Sequence, residues 1–195
     1  MERCASVKET RRKIKQKNQT KIMKLKFILF LLLSFLFVNC QQNENKELKE
    51  IKKNDYTISY NSNLKLDESG KSGTAFLLLT EKKDINDDFI ENINLIIQNL
   101  DTLNLDLNKL IKISESQINE YDKAKLIESV RIKNGANEFH KFVFEGNFTG
   151  RELKFLQYHF VKNNKAYILT FSAEPNEFES YKKEMETVMK SFKLK

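Results

Sequence analysis

The chain has 195 residues, 40% hydrophobic and 31% charged, with 34 basic and 27 acidic side chains and a formal charge of +7. Ten of the basic and two of the acidic residues fall within the first 39, which leaves residues 40–195 with 24 against 25, a net of −1. Without excess positive charge the domain has little means of releasing phosphate counterions, which argues against nucleic acid as a partner. The two cysteines are Cys4 and Cys40, so everything after Cys40 lacks a disulfide framework and a thiolate metal site. Stability there must come from an ordinary hydrophobic core.

Residues 1–22 are polar and basic, with Arg11-Arg12-Lys13-Ile14-Lys15-Gln16-Lys17 at their centre. Met23 then opens a self-sufficient targeting pattern: Lys24 and Lys26, an uncharged run of 12 residues from Phe27 to Val38, and Cys40 at its end. Translation is accordingly expected to begin at Met23, with residues 1–22 an over-extended gene start. The run falls short of the roughly 20 apolar residues that cross a bilayer as a helix, and so reads as an address to be removed.

The sequence Leu36-Phe37-Val38-Asn39-Cys40 resembles the end of a bacterial lipoprotein signal, with Val38 and Asn39 standing where that family usually has small residues. The resemblance implies a diacylglyceryl group on the Cys40 thiol, cleavage before it, and acylation of the new amino terminus. A plain secretory signal cleaved near Asn39, or an uncleaved anchor, is the alternative reading. The lipid anchor on Cys40 implies a membrane-anchored protein of the bacterial cell envelope, at the outer membrane or periplasmic face.

Residues 40–54 are expected to form the acylated cysteine and a polar tether, mobile or weakly helical, because Leu48 and Ile51 are too few to bury a face. From Asp55 onward a single domain, 55–195, is expected. Tyr56, Ile58 and Tyr60 alternate with polar residues as in a half-buried strand. A short strand is predicted around Leu64 and Leu66, a polar turn over residues 67–73, and a buried strand within Thr74–Thr80. Asn92–Asn99 reads as a strand, since its asparagines and β-branched residues weaken the helical alternative. Asp106 supplies an N-cap for a helix carrying Leu107, Leu110, Ile111, Ser114, Ile118 and Tyr121.

Strands are then predicted for Leu126–Lys133, Glu138–Phe148, Glu152–Lys162 and Lys165–Ala173, separated by Asn134-Gly135-Ala136-Asn137, Thr149-Gly150-Arg151 and Asn163-Asn164. Such short connections join antiparallel neighbours in a meander. Phe178, Tyr181, Met185, Val188, Met189 and Phe192 place one apolar stripe on a closing helix. The fold class is therefore α+β, an antiparallel sheet packed with helices.

The succession Gly135 to Phe144, Glu152-Leu-Lys-Phe-Leu-Gln-Tyr-His-Phe160, Asn164-Lys-Ala-Tyr-Ile-Leu-Thr-Phe-Ser-Ala173 and Phe178 to Lys193 resembles the PsbP-like and DcrB-like domains. That resemblance covers roughly residues 55–195 and implies an antiparallel sheet with helices on both sides. It also implies a setting, because members include lipid-anchored envelope proteins and photosystem accessory subunits. It carries no matched functional site.

Chemistry-bearing residues are few. His140 and His159 lie in strands that pair across the Thr149-Gly150-Arg151 turn, so they can approach each other; with Glu138, Glu145 or Glu152 they form the candidate metal or catalytic set. Packed, hydrogen-bonded histidines are the structural alternative. Asp84, Asp87 and Asp88 read as a solvated loop, and Gly70-Lys71-Ser72-Gly73 lacks the spacing and following helix of a phosphate loop. Asn147-Phe148-Thr149 matches a glycosylation acceptor, which has no meaning in a bacterial protein. Neither cofactor nor metal is implied.

The aromatic side chains Phe139, Phe142, Phe144, Phe148, Phe155, Tyr158, Phe160, Tyr167 and Phe171 make both faces of the sheet apolar. Helices are expected to cover both; a face left open would instead be a binding surface. Two functions follow. One is a noncatalytic, lipid-anchored binding or assembly module with an envelope protein as partner. The other is a small envelope hydrolase or metal-dependent enzyme using His140 or His159 with nearby carboxylates.

Overall fold

A computed structural model describes residues 47–103, 105–134 and 137–195. The signal-like segment, Cys40 and the Gly135-Ala136 turn lie outside the described residues. In chain order the elements are β1 (Leu48–Lys52), β2 (Tyr56–Asn61), β3 (Lys65–Asp67), a 3-10 turn (Lys71–Gly73), β4 (Phe76–Leu79), β5 (Asn92–Asn99) and α1 (Leu107–Glu120). There follow β6 (Asp122–Asn134), β7 (Asn137–Phe148), β8 (Arg151–Lys162), β9 (Lys165–Ala173), α2 (Phe178–Lys190) and β10 (Lys193–Leu194).

Among the described residues the strands form a seven-stranded sheet in the order β3-β4-β5-β9-β8-β7-β6 and a three-stranded sheet in the order β1-β2-β10. All the pairings are antiparallel, and β6 to β9 make the expected meander. Its tight turns are set by backbone conformation. Asn163 and Asn164 take φ of 51° and 55°, and Thr149 and Gly150 take 53° and 87°. Positive φ at both central positions gives a turn whose twist matches the strands on either side.

Residues of alternating parity divide the large sheet between two cores. On one face Phe76, Leu78, Ile93, Leu95, Leu156, Tyr158, Leu169 and Phe171 pack with Phe178, Met185, Val188 and Met189 of α2. The same core takes in Ile51, Tyr56, Ile58 and Tyr60 from the small sheet. On the other face Phe142, Phe144, Leu153 and Phe155 pack with Ile111 and Ile118 of α1. The helix begins where the sequence predicts, because the Asp106 carboxylate accepts a hydrogen bond from the Lys109 backbone N–H at 2.8 Å. A helix thus covers each face of an antiparallel sheet, the expected α+β architecture.

The tether is where expectation and structure part. Leu48–Lys52 is a strand, paired residue for residue with β2 from Leu48↔Asn61 to Lys52↔Thr57. Counting apolar residues missed it because main-chain pairing needs no apolar face. The single contribution of Ile51, buried opposite Ile58, seats the strand on a core its neighbour has already built. The domain therefore includes residues before 55. Two smaller differences are that β6 begins at Asp122, through register shifts on either side of Lys125 and Leu126, and that β10 adds two residues beside β2.

Candidate functional site

His140 on β7 and His159 on β8 are direct cross-strand partners. Alternation places both on the α1 face, between the aromatic cluster and the helix. Only 8% of His140 and 2% of His159 remain exposed. The Phe142 ring bridges the two imidazoles, with centroids 4.6 Å from His140 and 5.1 Å from His159.

Hydrogen bonds fix the protonation of each ring. Gln157 Nε2 donates to Thr170 Oγ1 at 3.1 Å, which turns Gln157 Oε1 toward His159 Nε2 at 2.9 Å. An amide oxygen only accepts, so His159 carries its proton on Nε2, and Nδ1 faces the Ser114 hydroxyl of α1 at 3.4 Å. At His140 the Ser129 hydroxyl donates to Glu115 Oε1 at 2.7 Å and lies 2.8 Å from His140 Nε2. With its one proton given to the carboxylate, Ser129 accepts from His140 Nε2–H. Both imidazoles are neutral here. Burial pushes His159 down to about 3, helped by the neighbouring His140. Burial also lowers His140, assisted by Arg131 and opposed by Glu115.

At Ser129 this arrangement runs opposite to nucleophile activation, which needs an unprotonated imidazole nitrogen facing the hydroxyl; His159 Nδ1 does face the Ser114 hydroxyl, but at a long 3.4 Å and with both residues buried beneath α1. The structure thus brings together the two predicted histidines but not the carboxylates proposed beside them. Glu138 sits 3.7 Å from Arg131 Nε and 3.4 Å from Lys133 Nζ. Glu145, five positions along β7 and about 17 Å away at strand spacing, pairs with Lys125 at 3.5 Å. Glu152 pairs with Lys123 at 3.0 Å. Among the described residues no group of three or more His, Cys, Asp or Glu side chains is arranged to hold a metal ion.

The carboxylate that does approach the pair is Glu115, half of the link to α1, a helical residue rather than one of the strand carboxylates that pattern alone suggests. Its helical position one residue after Ser114, on a helix crossing the same strands, is the signal that finds it. Arg131 stands opposite His140 in the β6–β7 pairing: its guanidinium donates to Asn108 Oδ1, while Nη1 is buried without a hydrogen-bond partner among the described residues.

The remaining candidates have local roles. Asp84 accepts from the Asn86 N–H at 2.7 Å, and Asp87 accepts from the Lys83 N–H at 2.9 Å, so these carboxylates shape the loop before β5. Gly70–Gly73 forms the 3-10 turn and leads into β4 rather than a helix, leaving no helix terminus for a phosphate. Sequence reading missed Glu91, which is 3% exposed and whose carboxyl burial pushes above the ordinary range, with Asp87 and Glu177 adding to the rise. Its odd parity with Ile93 and Leu95 was the available clue.

Two open clefts, of about 280 and 510 Å³, lie elsewhere: one is lined by Lys123, Glu145, Glu152 and Pro175, the other by Asn63, Lys65, Thr80 and Lys82. Neither contains a histidine. Among the described residues no helix is long and apolar enough to cross a membrane.

No family model matches the chain, and no curated protein matches it. Solved structures do. The solution structure of cyanobacterial PsbP (CyanoP) from Synechocystis is 16% identical with a TM-score of 0.53, covering 82% of this chain and 99% of its own. The crystal structure of LpqN, involved in cell envelope biogenesis of Mycobacterium tuberculosis, is 8% identical with a TM-score of 0.54, covering 78% and 93%. At such identities the likeness is one of architecture: the chain has the PsbP-like α+β fold.

Proposed function

We propose that the protein is a noncatalytic module of the bacterial cell envelope, anchored by lipid on Cys40, that binds or helps assemble other envelope components. The observation that carries this reading is a lipoprotein-like signal ending at Cys40, set directly before a PsbP-like domain. The description of LpqN as a cell envelope biogenesis protein supports the setting. The neutral, buried state of both histidines and the pairing of Glu138, Glu145 and Glu152 with cations weigh against the enzyme reading.

A lipid anchor at Cys40 leaves seven residues before β1. Fully extended, these span about 25 Å at roughly 3.6 Å each, about half the reach of a tether running to residue 54. The domain then works close to the lipid surface, and its partner is a membrane-bound or membrane-proximal protein. Two or three acyl chains make that attachment stable, since one chain holds only marginally.

Affinity purification of the full chain from gently solubilised membranes, beside a Cys40→Ser variant, tests the reading. It expects a recurring envelope protein with the native chain and its depletion with the variant. Repeated recovery of no partner, or equal recovery without the anchor, contradicts it.

A further inference from the structure

The histidine pair is the point where α1 is fastened to the sheet. Four buried residues, Leu110, Ile111, Ser114 and Ile118, hold the helix down. Ser114 meets His159, and Glu115 reaches His140 through the Ser129 hydroxyl. Asp101–Leu103 before the helix and Tyr121 after it are exposed, and the pairing of β6 is interrupted by a register shift between Asp122 and Lys125, so the helix can move with no more than the first residues of β6. The α2 side has its own core, in which neither histidine takes part.

The surroundings are built for uncharged rings. From β8 and β9 the pair meets Gln157 and Ile168, which cannot stabilise a cation as a carboxylate does. From β6 comes Arg131, a positive charge, itself 3.7 Å from Glu138 of β7. From α1 comes Glu115, one hydroxyl away from His140. His140 therefore has a compensating anion within reach, whereas His159 faces His140 and has none. A second proton on the pair puts two like charges across adjacent strands with water excluded.

We propose that α1 is a pH-sensitive clasp: acidification charges the opposed His140–His159 pair and lifts the helix from the Phe142, Phe144 and Phe155 surface, while the α2 side stays packed. Lifting α1 admits water to His159, so protonation and opening are a single coupled step. An imidazole whose value falls on folding stabilises the closed state above its free value of 6.5, and that stability is lost as the pH drops from 6.5 toward about 3. One coupled proton raises the opening equilibrium about tenfold per pH unit, so roughly 100-fold by pH 4.5.

Hydrogen exchange read by mass spectrometry on the full chain in detergent, from pH 7.5 to 4.5 and corrected for intrinsic rates, tests this. Protection over Leu107–Glu120 is expected to fall roughly 100-fold relative to Phe178–Lys190, and His159→Gln to remove most of the fall. Constant protection of α1, a parallel loss in both helices, or an undiminished response in His159→Gln overturns the proposal. Should His159→Gln not fold, proton NMR of the two imidazoles in the native chain decides. A His159 that gains its proton only as α1 loses protection supports the clasp; titration at an ordinary value with α1 protected overturns it.

Discussion

Tyr167, in the central strand of the large sheet, donates a 3.0 Å hydrogen bond to Oδ2 of Asp55, the residue that turns the chain from β1 into β2. Lys165 Nζ meets the same oxygen at 3.2 Å. Two residues of β9 therefore tie the small sheet to the large one, at a carboxylate that sequence reading treated only as the start of the domain. Although burial pushes the Asp55 carboxyl up, the hydrogen bonds from Lys165 and Tyr167 hold it below its ordinary range.

Removing the Tyr167 hydroxyl is expected to cost about 1–2 kcal/mol, because it deletes a hydrogen bond to a charged group. Tyr167→Phe should show this in urea denaturation at pH 7. Since folding depresses the Asp55 value below 3.8, the contribution is complete above that pH and disappears as the pH falls through the folded value. The gap between native and variant chains should close in acid. A gap independent of pH argues against the Asp55 partner.

Ile51 gives the test of β1. As part of a free tether it tolerates any substitution, whereas as a 4% exposed core residue opposite Ile58 it does not. Ile51→Ala is expected to cost about 2–4 kcal/mol, the usual range for truncating a buried aliphatic side chain. Unchanged stability returns Leu48–Lys52 to the tether.

The turn at Thr149 carries a correctable strain. A β-branched residue at φ 53° sits in the left-handed region, which costs roughly 1–2 kcal/mol for ordinary L-residues and less for asparagine. Its hydroxyl bonds only the adjacent Phe148 carbonyl, at an exposed position. Thr149→Asn should therefore stabilise the domain by about 1 kcal/mol, read as a shift of the denaturation midpoint without a change in slope. A destabilised variant shows that the threonine contributes something beyond this geometry.

Much of the fold was legible because its signals are local. The alternation at Asn92–Asn99, the cap at Asp106 and the asparagine turn at 163–164 each declare an element within a few residues, and the structure places all three as predicted. β1 was not legible, since its stability comes from partners at Thr57 to Asn61 rather than from its own composition. The site was half legible. Short turns fix register, and register brings His140 opposite His159. Which groups reach them from outside the hairpin depends on where α1 crosses the sheet, and so Ser114 and Glu115 could not be found from strand pairing alone.

Mass spectrometry of the mature amino terminus tests the central claim of a lipid-anchored envelope module most directly. The account predicts a chain beginning at Cys40, with a thioether-linked diacylglyceryl group on that cysteine. An unmodified Cys40, or a chain that retains the Met23–Asn39 segment, would contradict it.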